Sequence, residues 1–154
     1  MKIVTTLCIV HDHPKILLGM KKRGFGVGLW NGFGGKVKKG ESVVSAAHRE
    51  MHEECGLVVP SIEPAGVLDL LYNDQKEHVE MHIFRATSHR GEVCESEEME
   101  PRWFSIDEIP FKEMWQSDRY WYPLFLEGKK FCGKFIFDNK YNVIEHEMTI
   151  RRKE

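Results

Sequence analysis

Apolar residues open the chain in two short runs, KIVTTLCIV (Lys2–Val10) and KILLGM (Lys15–Met20), with the polar break His11–Pro14 between them. Runs rich in Val, Ile and Leu around such a break predict a β-hairpin. Arg23–Gly35 holds six glycines around Phe25, Leu29, Trp30, Asn31 and Phe33, which predicts loop and short strand. Glu41–Cys55 has no interior Gly or Pro; Ser42 suits an N-cap and Gly56 the position past the last turn, so a helix is predicted. Ile62–Tyr72 and Glu77–Thr87 read as strands joined by the polar turn Asn73–Lys76, and Pro101–Phe104 as a short strand. Ser117–Glu127 is predicted as a second helix despite Pro123. Phe131–Phe137 and Val143–Thr149 flank the turn at Asp138-Asn139 as a closing hairpin. Strands with two interspersed helices argue an α/β or α+β fold. No repeat or linker divides the chain, so residues 1–154 are expected to form one domain.

On the first helix Glu54 lies about 40° to one side of Glu50 and Glu53 about 60° to the other. Three like charges on one face repel, so a cation is expected among them. Val44, Ala47, Met51 and Cys55 form the adjoining apolar stripe, the face expected against the sheet. Arg49 stands four residues before Glu53, in reach of an intrahelical pair.

Composition narrows the possibilities. A formal charge of -2 and a pI near 6.5 give no global attraction to nucleic acid or anionic membrane. No basic stripe with interleaved aromatics appears beyond the short terminal run Arg151-Arg152-Lys153. Cys8, Cys55, Cys94 and Cys132 are widely spaced with no CxxC pair, and are expected to be reduced thiols in a cytoplasmic compartment. No stretch has the length of a membrane span or the make-up of a signal peptide.

The acidic helix sits in a longer pattern, G-x5-E-x7-R-E-U-x-E-E-x-G-U, where U is bulky and apolar. Gly35, Glu41, Arg49, Glu50, Glu53, Glu54 and Gly56 fill the fixed places, Met51 and Leu57 the apolar ones. Seven fixed matches arise by chance at on the order of one in 10⁸ starting positions. The stretch is identified as a Nudix box. LLGMKKRGFGVGLWNGFGGKV (Leu17–Val37), ESEEMEPRWF (Glu95–Phe104), IPFKEMW (Ile109–Trp115) and YWYPL (Tyr120–Leu124) are further similar to the 8-oxo-dGTP diphosphatase group of that family.

The resemblance implies a Nudix α/β/α sandwich with a central mixed β-sheet. It implies hydrolysis of oxidised purine nucleoside triphosphates to the monophosphate and pyrophosphate, with Mg²⁺ as cofactor and Mn²⁺ able to substitute. A monomer acting on a small-molecule nucleotide is expected. Glu50, Glu53, Glu54 and Arg49 would be catalytic; Gly34, Gly35, Glu50, Glu53, Glu54 and Glu98 would hold metal. Thr6, Lys21, Phe25, Asn31, Tyr72, Trp115 and Asp118 would bind substrate. Mg²⁺ independently suits clustered carboxylates, because it is a hard cation that takes oxygen ligands. Glu41 is expected to steady the loop or Arg49, and Lys22 and Arg23 to form a solvated basic loop.

Some positions depart from the group. Leu70, Tyr72 and Val79 replace two phenylalanines and a methionine, Glu100 replaces a basic residue, and Ser117-Asp118 replaces a pair of aspartates. An ionised Asp118 as sole reader would accept guanine's N1–H and exocyclic amine, predicting preference for oxidised guanine over oxidised adenine. The Ser117 hydroxyl, both donor and acceptor, could instead preserve breadth. The competing expectations are another Nudix substrate, such as ADP-ribose, a dinucleoside polyphosphate or another modified nucleotide, and a non-catalytic Nudix-like binding module.

Overall fold

The computed structural model describes residues 2–151. Of the terminal basic run, Arg152 and Lys153 therefore lie outside the described residues. The elements are β1 (Lys2–Asp12), β2 (Lys15–Lys21), β3 (Trp30–Asn31), α1 (Val43–Cys55), β4 (Glu63–Tyr72), β5 (Glu77–Ala86), β6 (Met99–Ser105), α2 (Asp118–Leu126), β7 (Lys130–Phe137) and β8 (Val143–Arg151). The predicted elements are all present, with ends displaced by one or two residues. Among the described residues no helix is long and apolar enough to cross a membrane.

All the strands join one sheet in the order β3-β2-β1-β5-β4-β7-β8, with β6 on the other edge of β2. Pairs β1–β5 and β4–β7 are parallel and the rest antiparallel, so the sheet is mixed. Its central strands are covered on both faces, which follows from the sequence. Successive strand side chains point to opposite sides, and β1 and β2 are apolar at both parities. Leu7, Ile9, Ile16 and Leu18 pack with Trp121, Tyr122 and Phe125 of α2 and with Phe131 and Phe135. Cys8, Val10 and Leu17 pack with Ala47, Met51 and Cys55 of α1 and with Phe33. Each fully buried Leu or Phe contributes about 1.5–3 kcal/mol over leaving it exposed. The result is the expected α/β/α arrangement, one helix to each face.

One expectation for α1 is corrected. Val44 is 47% exposed, while Ala46 is fully buried and Val43 makes the first-turn contact. The buried arc of α1 is centred near Val43, Ala47 and Glu54, which leaves Val44 toward its edge. On the opposite face, Arg85 of β5 donates to the Phe125 carbonyl and lies over its ring at 3.9 Å. That contact satisfies a carbonyl at the end of α2 and holds the helix to the sheet.

Candidate active site

Local signals fix α1. The Ser42 hydroxyl accepts from the Ser45 N–H (3.0 Å), and Gly56, left-handed at φ 80°, closes the last turn onto the His52 carbonyl (2.9 Å). The wheel then gathers Glu50, Glu53 and Glu54. In the folded chain the cation among the acidic residues is Arg49. Its Nε and Nη2 donate to Glu41 (2.7 and 3.0 Å), and Nη1 donates to Glu50 (2.9 Å) and Glu53 (3.2 Å). Nη2 also reaches the Lys36 carbonyl (3.2 Å). Arg49 holds Glu41 down at about 2, and Glu41 also accepts from the Lys38 N–H (3.0 Å). The expected supporting role of Glu41 is what the structure has.

Glu54 is different: it points inward, is 6% exposed, and accepts the Gly34 N–H at 2.8 Å. Burial pushes its carboxyl up to about 7; the Gly34 N–H opposes the rise, and the Glu50 charge adds to it. Gly34 is sterically required, and a side chain at Gly35 would displace the Glu50 carboxylate. A Cβ on Gly34 would lie 1.8 Å from the Thr6 carbonyl oxygen, and one on Gly35 would lie 2.6 Å from Glu50 Oε1. The Gly35 carbonyl accepts from the Thr6 N–H (2.9 Å), which joins this turn to β1. Glu98 stands across from α1, held by Arg23 (3.0 and 2.8 Å) and Lys21 (3.4 Å), and these contacts lower its carboxyl below the usual range. Lys22 and Arg23 lie in an exposed loop as expected, and both are also paired at the surface, Lys22 with Glu95 and Arg23 with Glu98. The cause is the register of β6 beside β2, which brings the acidic run 95–98 against them.

Among the described residues no three His, Cys, Asp or Glu side chains are already gathered in ligating geometry. The oxygen donors nevertheless fit a hard divalent ion. Glu54 is a buried carboxyl whose ionised form lacks a cationic hydrogen-bond partner, and Glu50, Glu98 and the Gly34 turn lie near it.

A cavity of about 290 Å³ begins at Gly34, Gly35 and Glu54 and continues between the strands to Trp115 and Asp118. Thr6, Lys21, Phe25, Asn31 and Tyr72 line it, so the seven expected substrate residues and these three metal-end residues share one space. Glu50, Glu53, Arg49 and Glu98 do not line it; they stand around its polar end. Leu70 and Val79 line it as expected, and so do Met81 and Met99, which sequence reasoning missed. The alternation of β5 could have found Met81, two residues from Val79 on the same face.

At the apolar end, Asp118 is 3% exposed. Its Oδ1 accepts the Trp121 indole N–H (3.1 Å), while Oδ2 is buried without a partner. Burial pushes this carboxyl up to about 8, with the Trp121 bond opposing. Burial thus favours the protonated form of Asp118, which presents a donor as well as an acceptor. The expected guanine preference takes Asp118 as ionised, and comparison of 8-oxo-dGTP with 2-oxo-dATP decides it. The Thr6 hydroxyl is likewise buried and unpartnered, while Asn31 Oδ1 accepts from the Gly32 N–H (2.9 Å).

Known proteins agree with this geometry. The chain is 48% identical over 143 residues to the oxidized purine nucleoside triphosphate hydrolase of Danio rerio, covering 93% of this chain and 92% of that one. It is 46% identical to the protein of the same name from Mus musculus, with the same coverage. Among solved structures, a MutT protein from Bacillus halodurans superposes with a TM-score of 0.86 at 28% identity, over 95% of this chain and 97% of that one. The NUDIX domain model matches residues 1–125. The chain belongs to the Nudix family of hydrolases, which use divalent metal ions.

Proposed function

We propose that this hydrolase converts oxidised purine nucleoside triphosphates, 8-oxo-dGTP among them, to the monophosphate and pyrophosphate with Mg²⁺, and so clears damaged nucleotides from the pool. It would act in the cytoplasm as a monomer on free nucleotides. The observation that carries the reading is the single cavity with an aromatic, desolvated end at Trp115 and Asp118 and a carboxylate end at Glu54. The names of the relatives from Danio rerio and Mus musculus support the same substrate class.

In this reading the purine stacks on Trp115. The neutral Asp118 and the amide of Asn31 read its edge, each with a donor and an acceptor. Lys21 binds near the sugar and phosphates. Glu50, Glu53, Glu54, Glu98 and the Gly34–Gly35 turn would hold the ion. When bound, Mg²⁺ or Mn²⁺ neutralises phosphate charge and lowers the pKa of water. Water forms a new bond to phosphorus, the bond between the 5′-phosphate and the two terminal phosphates breaks, and a glutamate of α1 takes the water's proton. Arg49 holds Glu50 and Glu53 in place through its paired contacts. Positioning and charge neutralisation carry most of such a reaction.

A panel of canonical and oxidised nucleotides, ADP-ribose and a dinucleoside polyphosphate, each with Mg²⁺, tests the reading. Highest kcat/KM on an oxidised purine triphosphate is expected. Highest activity on ADP-ribose or a dinucleoside polyphosphate would displace it, and no turnover on any would favour a binding module.

A further inference from the structure

Tyr141 lies outside every motif, in the turn between β7 and β8. Its φ is 62°, the left-handed region that a bulky L residue rarely adopts. The turn is built to hold it there. Asp138 Oδ1 accepts from the backbone N–H groups of Lys140 and Asn142 (both 2.9 Å), and the Tyr141 N–H donates to the Asp138 carbonyl (3.0 Å). Gln116, the residue after Trp115, then ties the turn to the cavity wall. Its Nε2 donates to Asn142 Oδ1 (2.6 Å), and its Oε1 accepts the Val143 N–H (2.9 Å).

So anchored, the Tyr141 ring meets three rings of the cavity wall edge-on. Its centroid lies 5.3 Å from Phe25 at 79°, 5.5 Å from Trp115 at 89°, and 5.9 Å from Tyr72 at 68°. These are the favoured aromatic geometries. Phe25 depends on such contacts. It is 60% exposed and sits between Gly24 and Gly26, which with Gly28 have φ of 80–86°; the nearest ion pairs lie before it, at Lys22 and Arg23. Phe25 in turn packs directly on Trp115, with ring centroids 5.0 Å apart at 33°. Ordinary turn packing does not account for the arrangement. Tyr141 is itself 42% exposed, and glycine or asparagine would fit that backbone with less strain.

We propose that Tyr141 is a positioning residue, a latch that holds the Phe25 loop against Trp115 so that the cavity closes on the flat base of its ligand. The inference rests on the nucleotide-hydrolase reading above and adds the residue that shapes the base pocket from outside. Tyr141→Gly separates latch from structure, because it relieves the backbone while removing the ring.

In Tyr141→Gly, the Tm is expected to stay or rise. KM for the best nucleotide of the panel should increase about tenfold, the scale of one or two lost aromatic contacts, with kcat within about twofold. Amide hydrogen exchange of residues 24–29, read without any nucleotide, should quicken about tenfold. Tyr141→Phe should behave as wild type in all three. Wild-type KM and exchange in Tyr141→Gly would overturn the latch, as would a lowered Tm with kcat falling alongside. A wild type inactive on oxidised purines would instead overturn the substrate reading; loop exchange, and KM for whichever nucleotide is cleaved, would still decide the latch.

Discussion

The two helices lie on opposite faces of one sheet and treat their carboxylates in opposite ways. Beside α1, Glu41, Glu50 and Glu53 are compensated by Arg49 within hydrogen-bond distance. At the start of α2, Asp118 is walled off from water with one oxygen unpartnered. Coulomb energy between charges grows as the local dielectric falls, but so does the cost of an unpaired charge. The first arrangement gives the carboxylates a shared cationic partner and holds Glu41 well below the usual carboxylate range. The second keeps a carboxyl neutral, as a group that must both donate and accept requires. Glu54 stands between the two regimes, buried like Asp118 but at the α1 end of the cavity.

The comparison breaks most visibly through its charged side. Glu53→Gln or Glu54→Gln is nearly isosteric, so the fold should persist; in Glu54→Gln the amide oxygen can still accept the Gly34 N–H. Turnover under saturating Mg²⁺ should fall by about 10²–10⁴, the range for loss of a catalytic acid/base or electrostatic group. Pyrophosphate release reads it. Near wild-type turnover in both variants would remove these glutamates from the metal site.

A smaller effect is expected from the neutral side. Raising the pH through about 8 ionises Asp118, which then only accepts and suits guanine's two donors. The ratio of kcat/KM for 8-oxo-dGTP over 2-oxo-dATP should therefore rise across that pH. Asparagine always both donates and accepts, so Asp118→Asn should hold the ratio at its low-pH value. At alkaline pH the difference should be about 1–3 kcal/mol, the scale of one mismatched buried polar group. A ratio that is flat in wild type, or equally pH-dependent in the variant, would show that other groups read the base.

Stability should show the same contrast with opposite signs. Glu41, held at about 2, contributes stability that is present above its unfolded value near 4.5 and lost as pH falls through about 2. Asp118, raised from 3.8 to about 8, contributes stability that is present below 3.8 and lost as pH rises through about 8. Glu41→Gln should flatten the acid limb of a Tm–pH profile, and Asp118→Asn the decline between about pH 4 and 8. Each 1 kcal/mol corresponds to about 2–4 °C for a chain of this size. Unchanged limbs in both variants would mean that the two carboxyls titrate normally.

The contrast also explains what could be read from sequence. Nearly all of α1 was legible, because Ser42, Gly56, the glutamate spacing and the Arg49–Glu53 offset act within four residues. Val44 misled because the stripe drawn through it lies to one side of the arc that the fold buries. The α/β/α layering was legible through β1 and β2, apolar at both parities. Asp118 was legible as a pocket residue by resemblance, but not as a neutral one: its protonation depends on burial by residues distant in sequence. Pairing of Lys22 and Arg23 depended on the β2–β6 register, and Tyr141 reaches Phe25 and Trp115 only once β7, α2 and the glycine loop are in place. Those are tertiary facts, with no local signal.

The central claim is that one cavity holds the base at α2 and the phosphates at α1, so that hydrolysis separates the nucleoside monophosphate from the two terminal phosphates. Chromatographic resolution of the products of 8-oxo-dGTP with Mg²⁺ tests it most directly. The account predicts 8-oxo-dGMP and pyrophosphate in equal amounts. Diphosphate plus inorganic phosphate would contradict it.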